Sequence, residues 1–128
     1  MRLTVLPDIL AICRLRPDHE IPSWAFQNRS FMSVTYTDDE LSIVCSADAV
    51  PRDIRQQTGW RAFKVCGPLD FALTGVLSGL AAPLADAGIS VLAVSTFDTD
   101  YLMVRDSALE AAQALLADAG HEITPFTP

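Results

Sequence analysis

The chain has 128 residues and a mass of 13.9 kDa, and 50% of the residues are apolar, enough for a buried core without metal or disulfide staples. A formal charge of −7, a pI near 4.5 and basic residues that never cluster argue against nucleic acid as a partner, because phosphate binding depends on grouped Lys and Arg. Every apolar run is interrupted short of the ~20 residues that span a bilayer, and Pro7-Asp8 split the first run with no cleavage pattern behind it, so a soluble, cytoplasmic protein with no membrane partner is expected.

The first half reads as strand and loop. Leu3 to Leu6, Ile9 to Leu15, Phe31 to Tyr36 and Leu41 to Cys45 have strand character, with Thr37-Asp38-Asp39-Glu40 as a turn. Pro17 to Ser30 is loop-like, apart from Pro22-Ser23-Trp24-Ala25-Phe26, where Pro22 can open a turn or two of helix. Ala47 to Thr58, with Pro51 and several charges, reads as a linker.

The second half is more sharply patterned. Trp60 to Val65 alternates apolar and basic residues, the period of a half-buried strand, and Cys66-Gly67-Pro68 ends it. Val76, Leu77, Leu80, Ala81, Leu84 and Ala87 recur at helical spacing, with Thr74 as the expected N-cap and Gly88 as the stop. Pro83 inside this run removes a helical hydrogen bond and predicts a kink or break. Ile89 to Val94 and Tyr101 to Val104 predict an antiparallel hairpin around Phe97-Asp98-Thr99-Asp100. Ser107 and Glu110 form a capping box ahead of Leu109, Ala112, Leu115, Leu116 and Ala119; Gly120 closes that helix and Glu122-Ile123-Thr124 supplies a last strand.

The order β-α-β-β-α-β predicts an α+β fold of the ferredoxin-like kind, an antiparallel sheet with helices on one face. Leu84-Ala85-Asp86-Ala87-Gly88 recurs as Leu116-Ala117-Asp118-Ala119-Gly120, each ending a helix ahead of a strand. Val34 to Val44 also lines up with Val94 to Val104 at constant offset, strand, acidic turn and strand in both. Two related modules are therefore expected: residues 1–58, reduced in helix and ending in the linker, and residues 59–128, complete.

Catalytic and metal chemistry find little support. Cys13, Cys45 and Cys66 are widely spaced among apolar neighbours and read as reduced, buried thiols. His19 and His121 stand in different halves, at no spacing that marks a catalytic triad. Asp38, Asp39 and Glu40 are adjacent, without the spaced ligands and glycine of a calcium loop. No metal, cofactor or catalytic residue is expected.

Gly67 to Leu77, continuing through Pro83 to Ser90 and Ser95 to Tyr101, resembles the ACT domains of CASTOR-type amino-acid sensors and their bacterial relatives; Gln27 to Ser30 and Asp39 to Val44 resemble the N-terminal module of the same group. The resemblance implies two ACT modules that bind an amino acid at an ACT–ACT interface and regulate an enzyme or signalling protein without catalysis. This chain has half the modules of the sensor, so a complete interface implies a homodimer. By the same resemblance the ligand contacts fall on Gly67, Asp70, Thr96, Phe97 and Asp100, with Asp70 where the arginine-sensing members carry the longer glutamate. Chemically, Asp70 can accept from an ammonium, backbone amides around Leu73 to Val76 can receive a carboxylate at a helix N-terminus, Thr96 offers a hydroxyl, Phe97 a wall, and Asp100 a second carboxylate. The same residues have plainer uses: Asp70 as a helix or turn cap, Phe97 as core, and Asp98, Thr99 and Asp100 as a solvated turn. A ligand-free partner-binding or dimerisation module is the alternative function.

Overall fold

The computed structural model describes residues 1–27, 30–66 and 75–124. The elements run β1 (Arg2–Val5), β2 (Leu10–Leu15), a 3-10 turn (Ser23–Phe26), β3 (Ser33–Tyr36), β4 (Leu41–Ser46), a 3-10 turn (Ala47–Ala49), β5 (Arg55–Val65), α1 (Val76–Asp86), β6 (Leu92–Ser95), β7 (Asp100–Arg105), a 3-10 turn (Asp106–Ala108), α2 (Leu109–Asp118) and β8 (Glu122–Thr124). Two compact units emerge, residues 8–60 and residues 1–7 together with 61–128.

In the unit of residues 8–60 the strands lie in the order β3-β4-β2-β5, all antiparallel. Because side chains alternate between faces along a strand, Cys13 and Leu15 of β2 and Leu41, Ile43 and Cys45 of β4 share one buried face, joined by Ala25 from the first 3-10 turn. The end of the expected linker, Arg55 to Thr58, is strand, since β5 begins at Arg55. Arg55, Gln57 and Thr58 are exposed and lack apolar alternation. Backbone pairing to β2 holds them instead, with Arg14 opposite Arg55 and Ile12 opposite Gln57, before a bulge shifts the register to Leu10 opposite Trp60.

The other unit orders its strands β6-β7-β5-β1-β8. Residues 1–7, expected with the N-terminal module, belong here because Leu3 and Val5 are buried in one core with Phe63, Val65, Leu80, Leu84, Leu102, Val104, Ala112 and Leu116. β1 lies antiparallel to β5 and parallel to β8, so the sheet is mixed rather than antiparallel throughout. α1 buries Leu80 and Leu84, and α2 buries Ala112 and Leu116, in this same core, which gives the expected α+β sheet with two helices.

Three helix details depart from expectation or sharpen it. α1 runs through Pro83 without a break; Leu80 and Leu84, both fully buried, hold the turns on either side, and the proline forfeits a single amide bond near the helix end. The expected cap Thr74 lies outside the described residues, and Gly75 occupies the N-cap position. The Ser107–Glu110 capping box does not form: a 3-10 turn precedes α2, which starts at Leu109 with Ala108 at its N-cap position.

Both helices stop in the same way. Ile89 N–H donates to the Leu84 carbonyl at 3.0 Å and His121 N–H to the Leu116 carbonyl at 3.1 Å, around glycines with φ of 76° and 97°. A Cβ on Gly120 would meet nothing within 4 Å, so its penalty is purely conformational. Gly120→Ala is expected to cost about 1–2 kcal/mol by urea unfolding.

The repeated hairpin is real in the structure, but one residue out of the register read from sequence. Tyr36 pairs Leu41 and Ser95 pairs Asp100, so Thr37 and Thr96 are equivalent, an offset of 59 rather than 60. The following 3-10 turns, Ala47–Ala49 and Asp106–Ala108, keep that offset.

Candidate functional site

A cavity of about 450 Å³ opens in the unit that carries both helices, lined by Gly75, Val76, Leu77, Ser78 and Ala81 of the α1 side and by Ser95 and Asp100 of the β6–β7 hairpin. Its size suits a small molecule. The first-turn amides of a helix have no intrahelical acceptor and sit at the positive end of its dipole, so Val76, Leu77 and Ser78 offer donors to an anion. Asp100 is half-buried and lies opposite Ser95 at the hairpin base, where the Ser95 hydroxyl donates to Asp100 Oδ1 at 2.6 Å. That bond orients the carboxylate while Oδ2 keeps its acceptor capacity. Carboxylate and helix N-terminus thus present opposite charges to one space. A second cavity, about 540 Å³, lies among Glu110, Gln113, Ala114 and Ala117 of α2 and Ile123 of β8. It is larger, but it lies along the flank of α2 and lacks that pairing of opposite charges.

Of the residues singled out in the sequence, Asp100 lines the first cavity, together with Gly75 and Val76 of the expected amide donors. Gly67 and Asp70 lie outside the described residues. The Thr96 hydroxyl is engaged in its own turn: it donates to the Thr99 carbonyl at 3.2 Å and receives the Thr99 N–H at 3.3 Å. Phe97 is 82% exposed at the hairpin tip, so it is not a core residue. Thr99, read as part of a solvated turn, is instead buried, and its hydroxyl donates to the Val65 carbonyl. Ser95 escaped the sequence reading, and its only signal there was its place directly before the turn, opposite an aspartate.

The remaining titratable groups are placed structurally. Cys13 and Cys45 are buried, and a hydrogen bond to Cys45, then burial, push the Cys13 thiol above its usual range, against a role as nucleophile. Cys66 is only partly buried and contacts the Thr4 hydroxyl at 3.3 Å. His19 is exposed, its Nδ1 beside the Glu20 carbonyl. His121 Nδ1 faces the Met1 ammonium at 3.1 Å; burial first, then that charge, lowers its pKa. The Thr37 hydroxyl accepts the Asp39 and Glu40 N–H groups, both at 3.2 Å, which makes the acidic run a closed turn. Among the described residues, no three His, Cys, Asp or Glu side chains converge as a metal site.

The ACT domain family profile matches residues 55–118, half of the chain. The chain belongs to the ACT domain family. A second profile, describing an N-terminal domain, matches residues 8–53, next to the ACT match. No curated protein matches the sequence. A crystallographically determined protein of Agobacterium tumefaciens is 43% identical, with a TM-score of 0.92 over 99% of this chain and 94% of its own. The aspartate kinase of Clostridium acetobutylicum, described as an allosteric enzyme, gives a TM-score of 0.67 at 12% identity over 91% of this chain and 34% of the kinase. The regulatory subunit of aspartate kinase from Thermus thermophilus gives 0.60 at 14% identity over 91% of this chain and 95% of the subunit. These two show likeness of fold to the ACT chain described here. No helix is long and apolar enough to cross a membrane among the described residues.

Proposed function

We propose that this ACT protein is a cytoplasmic regulator, related to the CASTOR-type sensors, that binds an α-amino acid and passes its presence to an enzyme or signalling partner without catalysing a reaction. The observation that carries the reading is the cavity where Asp100 faces the first turn of α1. An α-amino acid carries an ammonium and a carboxylate close together, and both must find partners once water is displaced. Asp100, assisted by Asp70, takes the ammonium; the amides of Val76 to Ser78, with Gly67, take the carboxylate; Thr96 and Phe97 border the site.

In this reading residues 8–60 are a reduced ACT module. Its strand order is that of a ferredoxin-like sheet, with a four-residue 3-10 turn where α1 would stand. Leu41, fully buried, replaces Asp100, and Tyr36 replaces Ser95, so each chain offers one site. β6 pairs only β7 among the described strands, and a second chain set against it would place the ligand at an ACT–ACT interface of a homodimer. The kinase relatives, one described as allosteric and one as a regulatory subunit, support regulation.

A thermal-shift screen against the twenty amino acids tests this. A ligand at about 100 times its Kd adds about 2.7 kcal/mol to the folded state and raises Tm by several degrees. A shift confined to one or a few amino acids, lost in Asp70→Asn, supports the proposal. No shift at millimolar concentration favours the partner-binding alternative, which has its own observation in the uncharged strand β6, with Leu92 exposed and Phe97 at the adjoining tip.

A further inference from the structure

Two versions of one hairpin occur in this chain, one of which lines the cavity described above, and their difference isolates a residue that sequence reading passed over. We infer that Thr99 is a positioning residue of the proposed amino-acid site, fixing through its buried hydroxyl the turn that presents Asp100; the inference rests on the reading of the cavity given above. Thr99 is 6% exposed, one of two buried polar residues among those described, beside Ser46. Its hydroxyl donates to the carbonyl of Val65, the last residue of β5. Its carbonyl accepts the Thr96 N–H at 2.8 Å and the Thr96 hydroxyl at 3.2 Å, and its own N–H returns to that hydroxyl at 3.3 Å. The turn is thereby tied to a central strand of the sheet one residue before Asp100.

The first hairpin supplies the internal control. Thr37 closes its turn as Thr96 does, with its N–H on the Glu40 carbonyl at 3.0 Å. Glu40 stands at the position of Thr99, and an ionised carboxylate cannot donate such a bond. The turn therefore forms without a buried latch. In that copy the next residue is Leu41, seated in the core by its own apolar side chain. A polar residue at the same place has no such anchor, and the hairpin that carries Asp100 is the one with the hydroxyl bond to β5. A buried hydroxyl at a β-branched residue is also stiff at χ1, which suits a group that sets geometry rather than one that meets ligand.

The test compares wild type, Thr99→Val and Thr99→Ser by calorimetric titration with whichever of the twenty L-amino acids gives the largest thermal shift on wild type. Titrations are made at a temperature where circular dichroism shows every variant folded. Thr99→Val is expected to weaken binding about tenfold, the equivalent of one net hydrogen bond, and Thr99→Ser, which keeps the donor, to stay close to wild type. A purely structural hydroxyl would lower Tm in Thr99→Val and leave Kd unchanged, which overturns the inference while the binding function stands. If no amino acid binds wild type, the functional reading fails and this inference with it. Should the valine variant not fold, Thr99→Ala removes the same hydroxyl without a branched replacement and is read by the same criterion.

Discussion

Asp100→Asn is expected to weaken amino-acid binding by about two- to thirtyfold and to leave the fold in place. A charge-assisted hydrogen bond contributes about 1.5–3 kcal/mol where a neutral one contributes about 1, so removing the charge alone accounts for a loss of this size. Asparagine has the same shape, and its amide oxygen can still accept the 2.6 Å bond from Ser95, so the hairpin base should close as before. The two readouts are Kd by calorimetry and the urea midpoint. A weaker Kd at an unchanged midpoint identifies Asp100 as a ligand contact. An unchanged Kd reduces the carboxylate to a partner for Ser95 at the end of a turn. Ser95→Ala should act in the same direction and more weakly, because the carboxylate keeps its charge and loses only its orientation.

Phe63→Ala is expected to cost about 3–5 kcal/mol of stability, the range for truncating a buried aromatic ring. Phe63 has no exposed surface and lies in the core that both helices share, opposite Val5 across the β1–β5 pair. Set against the ~5–15 kcal/mol by which domains are stable, a loss of that size brings this unit near unfolding, and α1, seated on the same core, would lose its place beside the cavity. Lys64→Ala, one residue on and exposed, should stay within about 0.5 kcal/mol. The two urea midpoints, read side by side, check the assignment of faces along β5.

Much of the architecture was legible because it depends on periodicity. The stripe Leu77, Leu80, Ala81, Leu84 and the alternation of β4 carry their burial in their spacing, and the two Leu-Ala-Asp-Ala-Gly stops announce helix ends that the structure closes with equivalent bonds. What was missed depends on contacts between distant segments. Arg55 to Thr58 looks like a linker because its strand character comes from the neighbouring backbone of β2, which no local pattern records. β1 has a strand pattern wherever it docks, and only the shared core with Phe63 and Val65 places it beside β5 and β8. Pro83 predicts a break by local chemistry, and the burial of Leu80 and Leu84 outweighs it.

The candidate site divides in the same way. Asp100 could be named from the family resemblance and the start of α1 from its apolar spacing, and both line the cavity. Ser95 and Thr99 could not. A hydroxyl in a turn region is ordinary, and what sets these two apart is a partner elsewhere: the carboxylate across the hairpin for Ser95 and the Val65 carbonyl for Thr99. The one-residue difference between the sequence offset and the structural offset of the two hairpins matters here, because only the structural register puts Leu41 in the place of Asp100 and Glu40 in the place of Thr99.

The central claim, that an amino acid binds between the first turn of α1 and the β6–β7 hairpin, is tested most directly by titrating the isotopically labelled protein with the amino acids that shift its Tm and following the backbone amide resonances. The account predicts that the largest changes fall on Val76, Leu77 and Ser78 and on Ser95 to Asp100, with little movement in the equivalent hairpin at Tyr36 to Leu41. Saturable changes centred elsewhere, on α2 and β8 or within residues 8–60, would contradict it.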